Sequence, residues 1–362
     1  MEAEPVQFLW RHYDERLQST RSVLAHFIGV DAKDLVPVTN ATAGVNAVVR
    51  SLRLRSGDEL LTTDHAYNAC QNVLVEAARH AGAKVVVARI PFPLRGPEGT
   101  LDAILQAVTP WTRLALIDHV TSPTALILPV GSIIRQLDER GVDTLVDGAH
   151  APGMLPLNIN ALNPAYYTGN LHKWVCAPKG AGFLWAREDK QDGLQPAVVS
   201  HGNNTPRPGF TPFQDRFDWA GTFDPTAWLC VGEAIHWMGK LVRGGWPGLE
   251  KHNHQLIVRA RTRLCQRLRL APPCPEEMLG SMATMPLPEE FQGRPKSGKL
   301  DAEQLRLYDE FRIEVPFLRF GLDGRRWFRI SAQVYNSAEE YDYLAEALEQ
   351  VQMHRNAYFK AG

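Results

Sequence analysis

VDGAHAPGMLPLNINALNPAYYTGNLHKW, residues 146–174, is the stretch whose reading decides the fold. An apolar run, Thr144-Leu145-Val146, ends on Asp147 and is followed at once by Gly148, Ala149 and His150. A second run, Tyr166-Tyr167, leads into Asn170, His172 and Lys173. Both runs read as strands that finish on ionisable groups, and in open α/β sheets ligands collect at such carboxyl ends.

The flanking sequence extends this pattern in both directions. Upstream, apolar runs at 35–38, 59–62, 84–90, 113–117 and 144–146 alternate with helical periodicities at 14–28, 45–52, 68–80, 101–108 and 130–140. This βαβα rhythm predicts a mostly parallel sheet with helices on both faces. The first strand runs into Thr39-Asn40-Ala41-Thr42-Ala43-Gly44 before a helical pattern. Small residues and a hydroxyl at a helix start make an anion site, because free backbone N–H groups and the helix dipole favour phosphate. Taken alone, Asn40 or Thr42 would be read as a plain N-cap. Downstream, Lys179-Gly180-Ala181-Gly182 precedes a strand at 183–185 and not a helix, which excludes a dinucleotide loop. Residues 200–227 have no period and read as a long functional loop. Beyond Gly244-Gly245-Trp246-Pro247 a basic helix at 249–268, strands near 281–287, 313–317 and 327–331, and a closing helix from 338 predict a small α+β domain. Arg259, Arg261, Arg263 and Arg267 are assigned to a solvated helix face, and Arg325 and Arg326 to the surface.

With 362 residues, 44% hydrophobic and 22% charged, the chain has the composition of a globular protein large enough for two domains. A net charge of −1 with mixed signs points to no nucleic-acid or anionic-membrane partner. No apolar run reaches the length of a membrane span. The five cysteines are scattered without a CxxC pair, so neither a disulfide framework nor a metal site is expected. The N-terminal MEAEPVQFLWRHYDE lacks the pattern of a signal peptide, and a cytoplasmic location is expected.

An acid that can hold a protonated pyridine and a lysine that can form a Schiff base are what pyridoxal 5'-phosphate asks of a protein. DGAHAPG (147–153) with YYTGNLHKWVCAPKGAGFL (166–184) resembles the class V aminotransferase family of pyridoxal-phosphate fold type I, and within it the isopenicillin N epimerase-like branch, from about Ala3 to Tyr343. The resemblance implies a large domain (30–240) with a mostly parallel, seven-stranded sheet, and a small domain (1–29 and 241–362) made of an N-terminal helix and a C-terminal α+β part. It implies that Lys173 carries the cofactor and that Asp147 holds its ring nitrogen. His150 would meet the phenolic oxygen, and Ala41, Thr42, Asn170 and His172 the phosphate. His65 matches the stacking histidine by register, with Tyr67 as the alternative ring, and His119 and Thr121 fall in a loop near the cofactor. Thr222, in Gly221-Thr222, would reach the phosphate of the neighbouring subunit of a homodimer with shared sites. Arg329 would grip the α-carboxylate of an amino-acid-type substrate through a bidentate fork.

Desulfurases of this class carry a reactive cysteine before the carboxylate arginine. Between Leu300 and Arg329 there is none, which argues against a persulfide route. Relatives of the epimerase type carry a further Gly-Ser-containing stretch before the first helix, so part of the substrate pocket is expected to differ. The resemblance thus implies chemistry at an amino acid's Cα. Epimerisation is the first expectation, with Lys173 and a donor on the other face (His65 or Tyr67) handling the proton. β-Elimination by a C–S lyase and transamination are the alternatives, and a non-catalytic cofactor-binding relative is the reading from another class. A nicotinamide dehydrogenase is disfavoured by the lack of GxGxxG at the first strand-helix turn.

Overall fold

A computed structural model describes residues 1–292 and 301–360, with the side chains of 352–360 left aside. The chain divides into two compact units: residues 1–90, 100–121 and 128–248 form the first, and 91–99, 122–127 and 249–362 the second.

The first unit is built on a seven-stranded sheet. Its strands are β1 (Leu35–Val38), β2 (Glu59–Thr63), β3 (Lys84–Ala88), β4 (Thr112–Asp118), β5 (Asp143–Gly148), β6 (Tyr166–Asn170) and β7 (Gly182–Ala186), in the order β1-β7-β6-β5-β4-β2-β3. The β6-β5-β4-β2-β3 run is parallel, while β7 is antiparallel to both β6 and β1. Parallel strands buried on both faces need near-continuous apolar sequence, and Leu114-Ala115-Leu116-Ile117 and Leu145-Val146 supply it. One face carries Leu60, Leu116, Leu145 and Leu184 against Val45, Val48 and Val49 of the helix Ala41–Ser51 and Cys70, Val73 and Leu74 of the helix Asn68–Ala81. Residues 118 and 147 continue the parity of 116 and 145, so they lie on this face, one step beyond its core.

The helix Ala41–Ser51 begins four residues earlier than its apolar periodicity indicates, because the Asn40 side chain caps the Ala43 N–H at 2.9 Å. It also runs very close to the sheet. A Cβ on Gly44 would lie 2.1 Å from the Thr168 hydroxyl of β6, which itself donates to the Phe183 carbonyl at 2.7 Å. The stretch 200–227 is less irregular than its sequence: Thr211 and Gln214 form a capping box that starts a helix at Pro212–Asp218.

The expected division of the chain is altered at its start. Residues 1–29 group with the large unit and not with the small one. The helix Tyr13–Ile28 buries Leu17, Leu24 and Ile28, and its Arg21 pairs with Asp218 at 2.5 Å, both side chains being fully buried. Arg207 closes the network onto Asp14, Asp215 and Asp218. Buried charges of this kind are tolerated only when paired, so the helix is held where its partner is.

The second unit contains a three-stranded antiparallel sheet, β8 (Met282–Pro286), β9 (Phe317–Phe320) and β10 (Arg325–Ser331), in the order β8-β10-β9. Helices Gly245–Arg267, Ala302–Phe311 and Ala338–Lys360 accompany it. Two arginines assigned to the surface are buried here. Arg326 bonds Asp301 at 2.5 Å and Glu303 at 3.0 Å, and Arg261 donates to the Cys274 carbonyl at 2.7 Å. Charge alone does not distinguish a solvated arginine from one folded onto a partner.

The close approach at Gly44 gives a stability prediction. Gly44→Ala should cost about 1–3 kcal/mol, the usual penalty of overpacking a filled core, read as a lower urea midpoint. Thr168→Ala in the same chain should recover part of that loss, because it removes the atom the new methyl meets. Equal losses in the single and double variants would show that the contact is not the cause.

Candidate active site

The five parallel neighbours end on the same edge of the large sheet, and the ionisable groups follow from that. Asp147 closes β5, and Asp118 stands beside it in register at the close of β4. Both carboxyls are only 3% exposed. Asp147 accepts the Ala149 N–H at 3.0 Å and the Cys70 thiol at 3.2 Å. Burial raises the pKa of Asp147 above the ordinary carboxylate value, against those two donors and the Lys173 charge. Burial raises Asp118 further, and the charge of Asp147 adds to it. The Cys70 thiol is pushed far up by burial and by Asp147, so it is a donor and not a nucleophile.

Lys173 lies three residues past the end of β6, in a turn that packs against the Asp147 loop. Gly153, at φ 79°, lets the backbone of Trp174 come so near that a Cβ would sit 2.9 Å from its carbonyl carbon. The result is that Lys173 Nζ lies 2.9 Å from His150 Nε2. Lys173 and His150 are thereby brought into contact, and the Lys173 charge acts on Asp147.

The expected phosphate residues are rearranged. Asn170 is buried, and its carboxamide oxygen accepts the Ala41 N–H at 2.8 Å. Neither group is therefore available to an anion through that bond; Asn170 instead ties the end of β6 to the first turn of the helix Ala41–Ser51. The Ala43 N–H is taken by Asn40 Oδ1 and the Gly44 N–H by the Asn40 carbonyl. Thr42 remains, its N–H and hydroxyl making no hydrogen bond among the described residues. His172 holds the Ala181 carbonyl through Nδ1 at 3.0 Å and keeps its other ring nitrogen on a partly exposed edge.

His65 is not placed for stacking or proton transfer. Its ring is fully buried, with Nε2 3.1 Å from the Ile90 carbonyl, and burial lowers its pKa. Tyr67, which precedes the helix Asn68–Ala81, is 47% exposed. A ring that receives a ligand must have an open face, and of the two it is Tyr67 that has one. His119 is buried against the Tyr167 hydroxyl at 2.8 Å and its pKa is lowered by burial to about 4. Thr121 is fully buried and stands behind the site, not on its surface. Thr222 is exposed. Arg329 belongs to the second unit, where its guanidinium is mostly buried and holds the Ser122 carbonyl and, at 3.2 Å, the Ser122 hydroxyl.

Two residues of the constellation escape a reading of the sequence. Asp118 closes an apolar run in the same manner as Asp147, and that repetition is the signal that would find it. For Cys70 no signal exists; only the fold puts a thiol in the first turn of a helix against a carboxylate 77 residues away.

The group that these residues fit is a small aromatic cation with a phosphate. Among the described residues neither Asp118 nor Asp147 has an ion-pair partner, so a pyridinium N–H would supply a missing counter-charge. Thr42 at a helix start offers the anion end, and Lys173 the carbonyl-reactive amine.

The comparisons with known proteins agree with this fit. Residues 8–344 match the family model described as aminotransferase class-V. The chain belongs to that family. As a member it is an enzyme that uses pyridoxal phosphate. It is 35% identical to an isopenicillin N epimerase of Streptomyces clavuligerus over 361 residues, covering 96% of this chain and 87% of that one. It is 29% identical over 373 residues to a probable chloroplastic L-cysteine desulfhydrase of Arabidopsis thaliana, covering 95% and 76%. Among solved structures, the cystine C–S lyase C-DES in complex with its product cysteine persulfide superposes with a TM-score of 0.79 at 21% identity, covering 93% of this chain and 87% of that one. That likeness establishes the type I fold. Among the described residues no helix is long and apolar enough to cross a membrane.

Borohydride reduction of the yellow holoenzyme, followed by peptide mapping, should place the cofactor on Lys173. Lys173→Ala should retain cofactor without a covalent link, and Thr42→Ala should weaken cofactor affinity by about tenfold or more, the loss of one hydrogen bond to a charged group. A label on any other lysine is incompatible with this site.

Proposed function

We propose that the enzyme moves the Cα proton of an amino acid or an amino-acid-containing peptide, and that epimerisation is the outcome. The observations behind this reading are Lys173 against His150 at the sheet edge and the half-exposed ring of Tyr67 before the helix Asn68–Ala81. The cofactor, when bound, supplies an electron sink for the Cα charge. Lys173 is the base on one face, with His150 at 2.9 Å able to exchange a proton with it. Tyr67 is the donor for the other face, taking the role that the buried His65 cannot. Asp147 holds the ring proton, and Arg329 is the candidate anchor for the substrate carboxylate, whose planar fork a lysine would not reproduce.

A second reading is β-elimination by a C–S lyase. It is favoured by the desulfhydrase relative and needs the same lysine and the same carboxylate anchor. A desulfurase route through an enzyme persulfide has less support. Cys274 is buried and its thiol is raised to about 11 by burial, so it lacks the thiolate character that sulfur transfer needs. The enzyme is further proposed to be a homodimer in which the exposed Thr222 serves the partner's phosphate site. Its setting is proposed to be a reducing compartment such as the cytoplasm, in keeping with five free cysteines.

Incubation of the holoenzyme with candidate amino acids in heavy water decides between the two outcomes. An accepted substrate should take up deuterium at Cα and appear as both configurations. Tyr67→Phe should slow inversion by about 100-fold or more, the usual worth of a general acid, while exchange with retained configuration continues. Pyruvate from a thioether substrate, with no inverted product, would replace epimerisation by elimination.

The shared site has its own test. Inactive Lys173→Ala and impaired Thr222→Ala chains, mixed and re-associated, should regain activity, since one site of a mixed dimer is free of both changes. A fully active monomer would refute it.

A further inference from the structure

Asp118 has no assigned role, yet its surroundings are unusual. It is as buried as Asp147, lies next to it in parallel register, and points to the same face of the sheet, about 4.8 Å away at the backbone. One of its oxygens, Oδ2, is buried without a hydrogen-bond partner among the described residues. The backbone N–H of Tyr67, the residue before the helix carrying Cys70, also faces this carboxyl and favours its charged form. Cys70 in turn donates to Asp147. The two acids are thus neighbours twice over, through the sheet and through one helix.

The charged groups facing the pair are few. They are Lys173 from beyond β6, and the two acids themselves; the Cys70 thiol and the His119–Tyr167 pair are buried and neutral. One ammonium cannot neutralise two carboxylates in a site of low dielectric, and like charges at this spacing do not both ionise. The donors are unequal: Asp147 receives a thiol and a backbone N–H from the turn that follows it.

We propose that Asp118 is a positioning residue for the cofactor nitrogen: Asp118 and Asp147 carry one negative charge between them, the shared proton resides on Asp118, and Asp147 is the carboxylate. In this arrangement the neutral form of Asp118 leaves Asp147 free to bind a cationic ring. The proposal rests on the reading of Asp147 as the partner of the ring nitrogen. The direction of the Asp118 shift, upward through burial, accords with it.

The test has a cofactor-free arm and a holoenzyme arm. A carboxyl whose folded-state pKa is raised binds its proton in the folded chain where the unfolded chain, near its ordinary value of about 3.9, has lost it. Stability is therefore fullest at low pH and falls as pH rises toward the folded value. Thermal unfolding of the cofactor-free full chain should show Asp118→Asn melting several degrees above the unsubstituted protein near about pH 8, with the gap closing toward about pH 4. Asp147→Asn should give a similar gap, and the double variant less than the sum of the two, since either change relieves the other acid. In the holoenzyme at neutral pH, Asp118→Asn should leave the visible band of the cofactor in place, because an amide reproduces the neutral acid, whereas Asp147→Asn should displace it. Asp118→Leu should weaken cofactor binding where Asp118→Asn does not, since only the amide reproduces a neutral polar group beside Asp147.

A profile of Asp118→Asn parallel to that of the unsubstituted chain, or strict additivity in the double variant, would overturn the shared charge. A displaced band in Asp118→Asn would show that Asp118 is itself ionised and would overturn the assignment of the proton. If borohydride labels a lysine other than Lys173, the cofactor reading fails, and the cofactor-free profiles still decide whether the acids are paired.

Discussion

The dry carboxylate of Asp147 is the interaction on which the rest of the site depends. A carboxyl buried at the rim of an apolar core, with no cation bonded to it, costs several kcal/mol unless something takes up its charge. The fold meets this cost with a thiol, one backbone N–H and a neighbouring ammonium, and under the proposed reading a pyridinium would complete it. Every feature around it follows from keeping that place dry and that gap open. The parallel strands end together, the helix layer covers the face below, and the turn at Gly153 brings the lysine loop onto the acid's loop without a side chain between them.

Asn170 shows how such a site is assembled from few contacts. It is the last residue of β6, three positions before Lys173, and its carboxamide holds the first N–H of the helix Ala41–Ser51. A single hydrogen bond therefore links the strand that presents the lysine to the helix whose start is the anion end. Gly44 lets that helix lie against Thr168 two residues further back on the same strand. The spacing between the lysine turn and the helix start is thus set by one strand and one helix, both rigid, and not by a loop.

Much of this was legible in the sequence because parallel α/β proteins announce themselves. Continuous apolar strands, helices of regular period and an acid or amine at a strand's end give the sheet, the edge and the central pair Asp147 and Lys173. What was not legible depended on packing. His65 and Tyr67 are two residues apart in one turn, and nothing in their types says which is tucked under Ile90 and which faces outward. Arg326 and Arg261 resemble exposed arginines until their partners are in place. Asn170 carries the right donors for a phosphate, but the distance to Ala41 decides that it serves the helix. No local sign shows Arg21 reaching Asp218, 197 residues on, so sequence alone leaves the N-terminal helix with the small unit.

The order of strands also gives the site a polarity. Across the sheet edge the sequence of elements is β6, with the helix start bound to it through Asn170, then β5 with Asp147, then β4 with Asp118. Positive potential from the open helix end lies on one side, and the carboxyls lie on the other. A ligand with a phosphate at one end and a basic ring nitrogen at the other can satisfy both only in one orientation, because reversing it would bring phosphate to carboxylate and leave the helix start against a cation. Lys173 follows β6, the strand tied to the helix start, and its amine meets His150 of the Asp147 loop. Orientation is thereby fixed by the backbone topology before any side chain makes a specific contact. The individual residues then determine which proton moves.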